Sequence, residues 1–166
     1  MTDQRYEGAT AEQLAHPFVQ ELLAIHDLFR NQMAAMLDYV DDVLQGSAQL
    51  SEPETKLRIR PLIQAGMQYT YLLHSHHHIE TASLFPVLQQ EGLEAAVVER
   101  LNAEHDELGV MIDKFNDAIN NLAAVDPAVM NHDLRRLAEA LRAHLAYEET
   151  HVCPLLARLS RLPGFR

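Results

Sequence analysis

A stretch beginning at His76, HHHIETASLFPVL, returns at His144 as HLAYEETHVCPLL, so that His76, Glu80 and Pro86 recur in step as His144, Glu148 and Pro154. A shorter echo joins IHDLF around His26 to EHDEL around His105. The order is therefore His, then His-x-x-x-Glu, then both again, which suggests pseudo-twofold symmetry around a shared centre. Residues four apart share one helical face. On that geometry His26 falls between Leu22 and Phe29, His76 between Leu73 and Glu80, His105 between Leu101 and Leu108, and His144 after Leu141. Four imidazoles and two carboxylates are thus aimed at the core, where burial without partners is costly.

The helices are legible from their apolar period. Pro17 followed by Val19, Leu22, Leu23, Phe29, Met33, Leu37, Val40 and Leu44 predicts a first helix that stops at Gly46. Ser51, Pro53 and Glu54 have the form of a capped start, and Leu62, Tyr69, Leu73, Leu84 and Val87 carry a second helix to about Gln90, kinked or frayed at Pro61 and Pro86. After Gly92, the run Leu93, Val97, Leu101, Leu108, Ile112, Phe115, Ile119 and Leu122 gives the cleanest amphipathic stripe. Asp126 and Pro127 open a fourth helix through Leu134, Leu137, Leu141, Leu145, Val152 and Leu155, with Pro154 near its end. The expected fold is all-α: an antiparallel up-down-up-down four-helix bundle over residues 16–160, after a flexible N-terminal arm over 1–15.

At 166 residues the chain is sized for one domain. Acidic residues outnumber basic ones 24 to 13, a net charge of −11 that repels phosphate backbones, so nucleic acid is not an expected partner. No apolar run reaches the roughly 18–20 residues of a membrane span, and MTDQRYEGATAEQ lacks a signal-peptide layout, so a cytoplasmic protein with no membrane partner is expected. The one cysteine, Cys153, excludes an internal disulfide framework and reads as a small buried hydrophobe.

A cation resolves the cost of the buried polar set. Four nitrogens and two carboxylates suit two metal ions better than one, with Glu80 and Glu148 as bridges and an oxo or hydroxo bridge completing the pair. Imidazole and carboxylate donors with open positions favour iron, although zinc, manganese and nickel remain compatible. The expected metal ligands are His26, His76, Glu80, His105, His144 and Glu148.

These residues, with Phe85 and Pro86 following the first glutamate, resemble the hemerythrin-like, or HHE cation-binding, domain family over roughly residues 16–158. The resemblance implies a four-helix bundle with a diiron centre that binds dioxygen, nitric oxide or peroxide; family members include oxygen carriers, sensors, iron-responsive proteins and iron–sulfur repair proteins. Oxygen-carrying hemerythrin has a His-x-x-x-His pair on its third helix, whereas Gly109 stands four after His105 here. Its last helix carries His then Asp five residues on, where this chain offers Glu148 at four and Glu149 at five, and the internal repeat favours Glu148. The pattern is closer to the bacterial His, His-x-x-x-Glu, His, His-x-x-x-Glu variety. It points away from oxygen carriage and toward redox reaction with peroxide or nitric oxide.

Other polar residues carry weaker signals. His77 is the nearest extra ligand to the His76 face, His151 stands three after Glu148, and Tyr69 and Tyr147 fall near the expected centre. His74 and His78 read as a solvated face. Glu148-x-x-His151 is the element of ferritin-like bundles, but Ser83 occupies the equivalent place after Glu80, which disfavours that architecture. Three functions follow: a diiron protein handling a small oxidant, with a peroxidase- or catalase-like cycle as the simplest turnover; a non-enzymatic iron sensor or store; or a structural metal-binding bundle. A homodimer is one candidate assembly.

Overall fold

The structure, a computed structural model, describes residues 9–46 and 49–161. Every regular element among them is helical: α1 (Ala11–Ala15), α2 (Pro17–Gly46), α3 (Glu52–Ile59), α4 (Leu62–Ile79), a π-helical turn (Glu80–Leu84), α5 (Phe85–Gln90), α6 (Ala95–Asn120), a 3-10 turn (Leu122–Ala124) and α7 (Pro127–Leu156). Of the arm expected over 1–15, residues 1–8 lie outside the described residues, and Ala11–Ala15 form α1, capped by Thr10 and Gln13. No helix among the described residues is long and apolar enough to cross a membrane.

The first and last long helices have the predicted bounds for local reasons. α2 starts at Pro17, and α7 starts where Asp126 accepts from the Ala128 N–H ahead of Pro127. The second predicted helix is divided instead. Ser51 and Glu54 form the expected capping box of α3, but Pro61 interrupts the backbone ladder and α4 begins afresh at Leu62. At Pro86 the ring would press on the carbonyl four residues back, and the turn ahead of it widens: Phe85 N–H donates to the Glu80 carbonyl, five residues away. α5 then ends where Gly92, at φ 106°, lets Leu93 N–H reach the Leu88 carbonyl at 2.9 Å and Gly92 N–H the Gln89 carbonyl at 3.2 Å.

α2 packs on α7, α7 on α6, α6 on α4 and α4 on α2, forming a helical bundle. Cross-helix pairs tie the register: Asp41 with Arg135, Lys114 with Asp133 at 3.0 Å, and the Tyr69 hydroxyl donating to the Phe29 carbonyl at 3.1 Å. α4 and α6 approach closely at Gly66, where an added Cβ would lie 2.7 Å from Ile119 Cδ1 and 3.1 Å from Phe115 Cε1. Gly109, by contrast, is open: a Cβ there meets only His74 Cε1, at 3.8 Å.

The two glycines should therefore respond in opposite directions to substitution. Gly66→Leu overpacks the α4–α6 contact and should cost about 1–3 kcal/mol, whereas Gly109→Ala should add about 0.5–1 kcal/mol from helix propensity alone. Denaturant unfolding of both variants measures this, and equal shifts would contradict the close approach at Gly66.

Candidate metal centre

The buried apolar side chains fall into two clusters rather than one. Phe29, Leu73, Leu108, Leu141 and Leu145 belong to the first, and Leu22, Leu84, Phe85, Leu101 and Val152 to the second. Between them lies a polar layer of His26, His76, His77, Glu80, His105, His144 and Glu148, none more than 8% exposed. Each of the long helices contributes to it, because each apolar stripe carries a polar residue at this one level.

All six residues expected from the sequence meet here. His26 Nε2 and His76 Nε2 are 3.3 Å apart, and His105 Nε2 and His144 Nε2 are 3.1 Å apart. The carboxylates lie between these pairs. Glu80 sets Oε1 at 2.7 Å from His76 and Oε2 at 3.3 Å from His105; Glu148 sets Oε1 at 3.7 Å from His26 and Oε2 at 3.3 Å from His144. Two groups emerge whose donor atoms lie within 4.8 Å of one another: His26, His76, Glu80 and Glu148, and His77, Glu80, His105 and His144. Glu80 belongs to both.

The donor set suits a cation. Both oxygens of Glu80, both of Glu148 and His77 Nε2 are buried without a hydrogen-bond partner. Such orphaned acceptors are costly unless something positive sits among them. Three of the imidazoles are hydrogen-bonded from behind. His26 Nδ1–H donates to Glu149 Oε1 at 2.9 Å, and His144 Nδ1–H to Glu104 Oε2 at 2.8 Å. Thr81 gives its one hydroxyl hydrogen to Asn102 Oδ1 at 3.0 Å and so accepts from His105 Nδ1–H, also at 3.0 Å. In all three rings Nε2 is left facing the centre.

His77 joins the layer beside the expected histidines. Its ring stacks on His105 with centroids 4.0 Å apart and meets His144 edge-on at 5.2 Å. The signal for it was present in the helical geometry. At about 100° per residue, Glu80 stands roughly 40° round from His76 and roughly 60° from His77, between the two. Glu149, the alternative to Glu148, lies behind His26 instead of among the inner donors. Glu104 and Thr81 were not anticipated, since a polar residue beside a core-facing one defaults to the surface.

The remaining candidates lie elsewhere. His151 rests on the Tyr147 ring, centroids 4.4 Å apart, and His74 pairs with Asp113 at 3.2 Å. His78 is exposed, Tyr69 is committed to the Phe29 carbonyl, and Cys153 is buried as a free thiol in the second cluster.

Without a metal the layer balances its charge with protons. Burial opposes a charge on His26, but Glu148, Glu149 and Glu80 outweigh it and raise its pKa from 6.5 to about 9. Burial also opposes charge on Glu80, yet His76, His105 and His26 hold it well below the usual carboxylate range, while burial and then Glu80 push Glu148 up. Burial and the neighbouring His105 keep His77 neutral. A raised histidine pKa stabilises the fold fully below about pH 6.5, and that contribution is lost as pH rises through about 9. The melting temperature of chelator-treated protein should therefore fall across that window. A rise would reverse the sign of the His26 contribution.

A family model, the Hemerythrin HHE cation binding domain, matches residues 17–156. No curated protein and no solved structure matches the chain. The family match spans α2 to the end of α7 and so contains every residue of the polar layer. The chain belongs to the hemerythrin HHE cation-binding domain family, a metal-binding helical domain, and its histidines and glutamates form two clusters that could hold a metal.

Proposed function

We propose that the chain holds two iron ions side by side in this layer and uses them to bind or react with dioxygen, peroxide or nitric oxide. The observation that carries the reading is the pair of carboxylates. Glu80 and Glu148 each direct one oxygen to the His26 and His76 side and the other to the His105 and His144 side, with no hydrogen-bond partner for any of the four oxygens. A single ion would leave half of these oxygens uncompensated. Iron in such a nitrogen and oxygen environment supplies one-electron chemistry and affinity for small oxidants.

The two halves differ in kind of donor. Three histidines, His77, His105 and His144, join Glu80 on one side, and two histidines, His26 and His76, join Glu80 and Glu148 on the other. On this reading the half with two histidines takes the outside ligand. Phe29, whose ring is 5.3 Å from His76, and the flanking leucines keep water away from it. An antiparallel up-down-up-down order of the helices belongs to this reading; in its support, Asp41 meets Arg135 at one end of α2 and α7 while His26 meets Glu149 toward the other, so that this pair runs antiparallel. A non-enzymatic iron sensor or store is the second reading, open to the same donor set.

Anaerobic loading with ferrous iron followed by metal analysis should find about two irons per chain, and oxidation should produce a near-ultraviolet band. A protein that takes up only zinc would overturn the proposal. His77→Ala should retain both irons and shift the ferric spectrum; an unchanged spectrum would remove His77 from the centre. Rapid peroxide consumption that disappears in Glu148→Ala would identify an enzyme, and its absence in the loaded wild type a sensor or store.

A further inference from the structure

Behind the inner donors stand two arginine-anchored carboxylates. Arg30 holds Glu149 with both arms, Nη1 to Oε1 at 2.7 Å and Nη2 to Oε2 at 3.0 Å, and Glu149 is fully buried against His26. Arg100 holds Glu104 through Nε at 2.8 Å and lies 3.6 Å over the Tyr147 ring, while Glu104 faces His144. We propose that Glu149 and Glu104 are positioning residues, each assigned to one half of the centre, Glu149 to the His26 and His76 half and Glu104 to the half built on His77, His105 and His144. This rests on the dinuclear reading above.

The placement of the two carboxylates argues for a role beyond ion pairing. Glu149 follows the inner Glu148 on α7 and reaches across to a histidine of α2; Glu104 precedes the inner His105 on α6 and reaches across to a histidine of α7. A residue next to an inward-facing one is turned by about 100°, which aims it at the back edge of the imidazole on the adjoining helix. An exposed arginine pair would not require a carboxylate with no solvent contact, as Glu149 is. Sandwiched between a guanidinium and Nδ1–H, each carboxylate fixes the tautomer and ring plane that present Nε2 to the centre, and its charge makes that nitrogen a better donor. The two halves differ in degree, because Glu104 is 23% exposed and Glu149 not at all. The Glu149 effect should be the larger.

The test is an anaerobic ferrous titration of metal-free wild type, Glu149→Gln and Glu104→Gln against a competing chromophoric chelator. Glutamine keeps the size and an acceptor oxygen but removes the charge. Each variant should bind one ion as wild type does and the other about 10–100-fold more weakly. Adding Glu149→Gln to His26→Gln should bring no further loss, whereas adding it to His105→Gln should weaken the ion of the other half as well. Wild-type affinity for both ions in both variants overturns the inference and leaves the dinuclear reading standing. Equal weakening of both ions by each variant overturns the assignment to halves. A wild type that binds no iron overturns the dinuclear reading and this inference with it. Circular dichroism checks folding; should Glu149→Gln not fold, Arg30→Gln loosens the same carboxylate from outside and carries the same expectation with a smaller shift.

Discussion

Two buried carboxylates between two sets of imidazoles organise this molecule. An apolar core would pack more favourably without them, so the bundle is built around a layer whose desolvation must be offset from within. The core divides at that level into two leucine- and phenylalanine-rich clusters. Each long helix brings a polar side chain to the same height. Chemistry and packing are therefore coupled: the metal-free layer balances its charge with protons on the histidines, and a cation would have to displace them.

One short stretch serves both halves of the layer. His76 and His77 diverge by about 100° around α4, and Glu80, one turn on, lies between them in rotation. The chain then widens into a π-helical turn before Pro86. In the second copy of the repeat, Pro154 lies within α7 and the helix continues to Leu156 as an ordinary α-helix. The two copies share their inner glutamates and differ in backbone, and only the first has a histidine pair. The pseudo-symmetry legible in the repeat is thus broken by one residue, and the two groups of donors acquire unequal numbers of histidines.

The outer partners follow another logic. Glu149 and Glu104 are neighbours in sequence of inner residues, yet each serves a histidine on a different helix. Thr81, beside Glu80, does the same for His105 through its hydroxyl. Adjacent positions on one helix thus supply an inner donor and the support for someone else's. The centre is held by contacts between helices more than by any helix alone.

Much of this was legible in the chain itself. Pro17 and Gly46 bound α2, and Asp126 with Pro127 opens α7, because such signals act within a few residues; the apolar period places α6 without fixing its ends. The same period assigns His26, His76, Glu80, His105, His144 and Glu148 to core-facing positions, since the face of a helix is a local property. Which of His77, Glu104, Glu149 and Thr81 joins the centre is another matter. Each lies about 100° round the helix from an inward-facing neighbour, where solvent is the default, and only the approach of a neighbouring helix gives it something to contact. The widened turn at Pro86, set against the continuous helix at Pro154, was likewise decided by packing. The sequence by itself determined the helices and the inward-facing donors; the tertiary structure decided how they divide into two unequal halves and what orients them, because orientation depends on atoms that are distant in the chain.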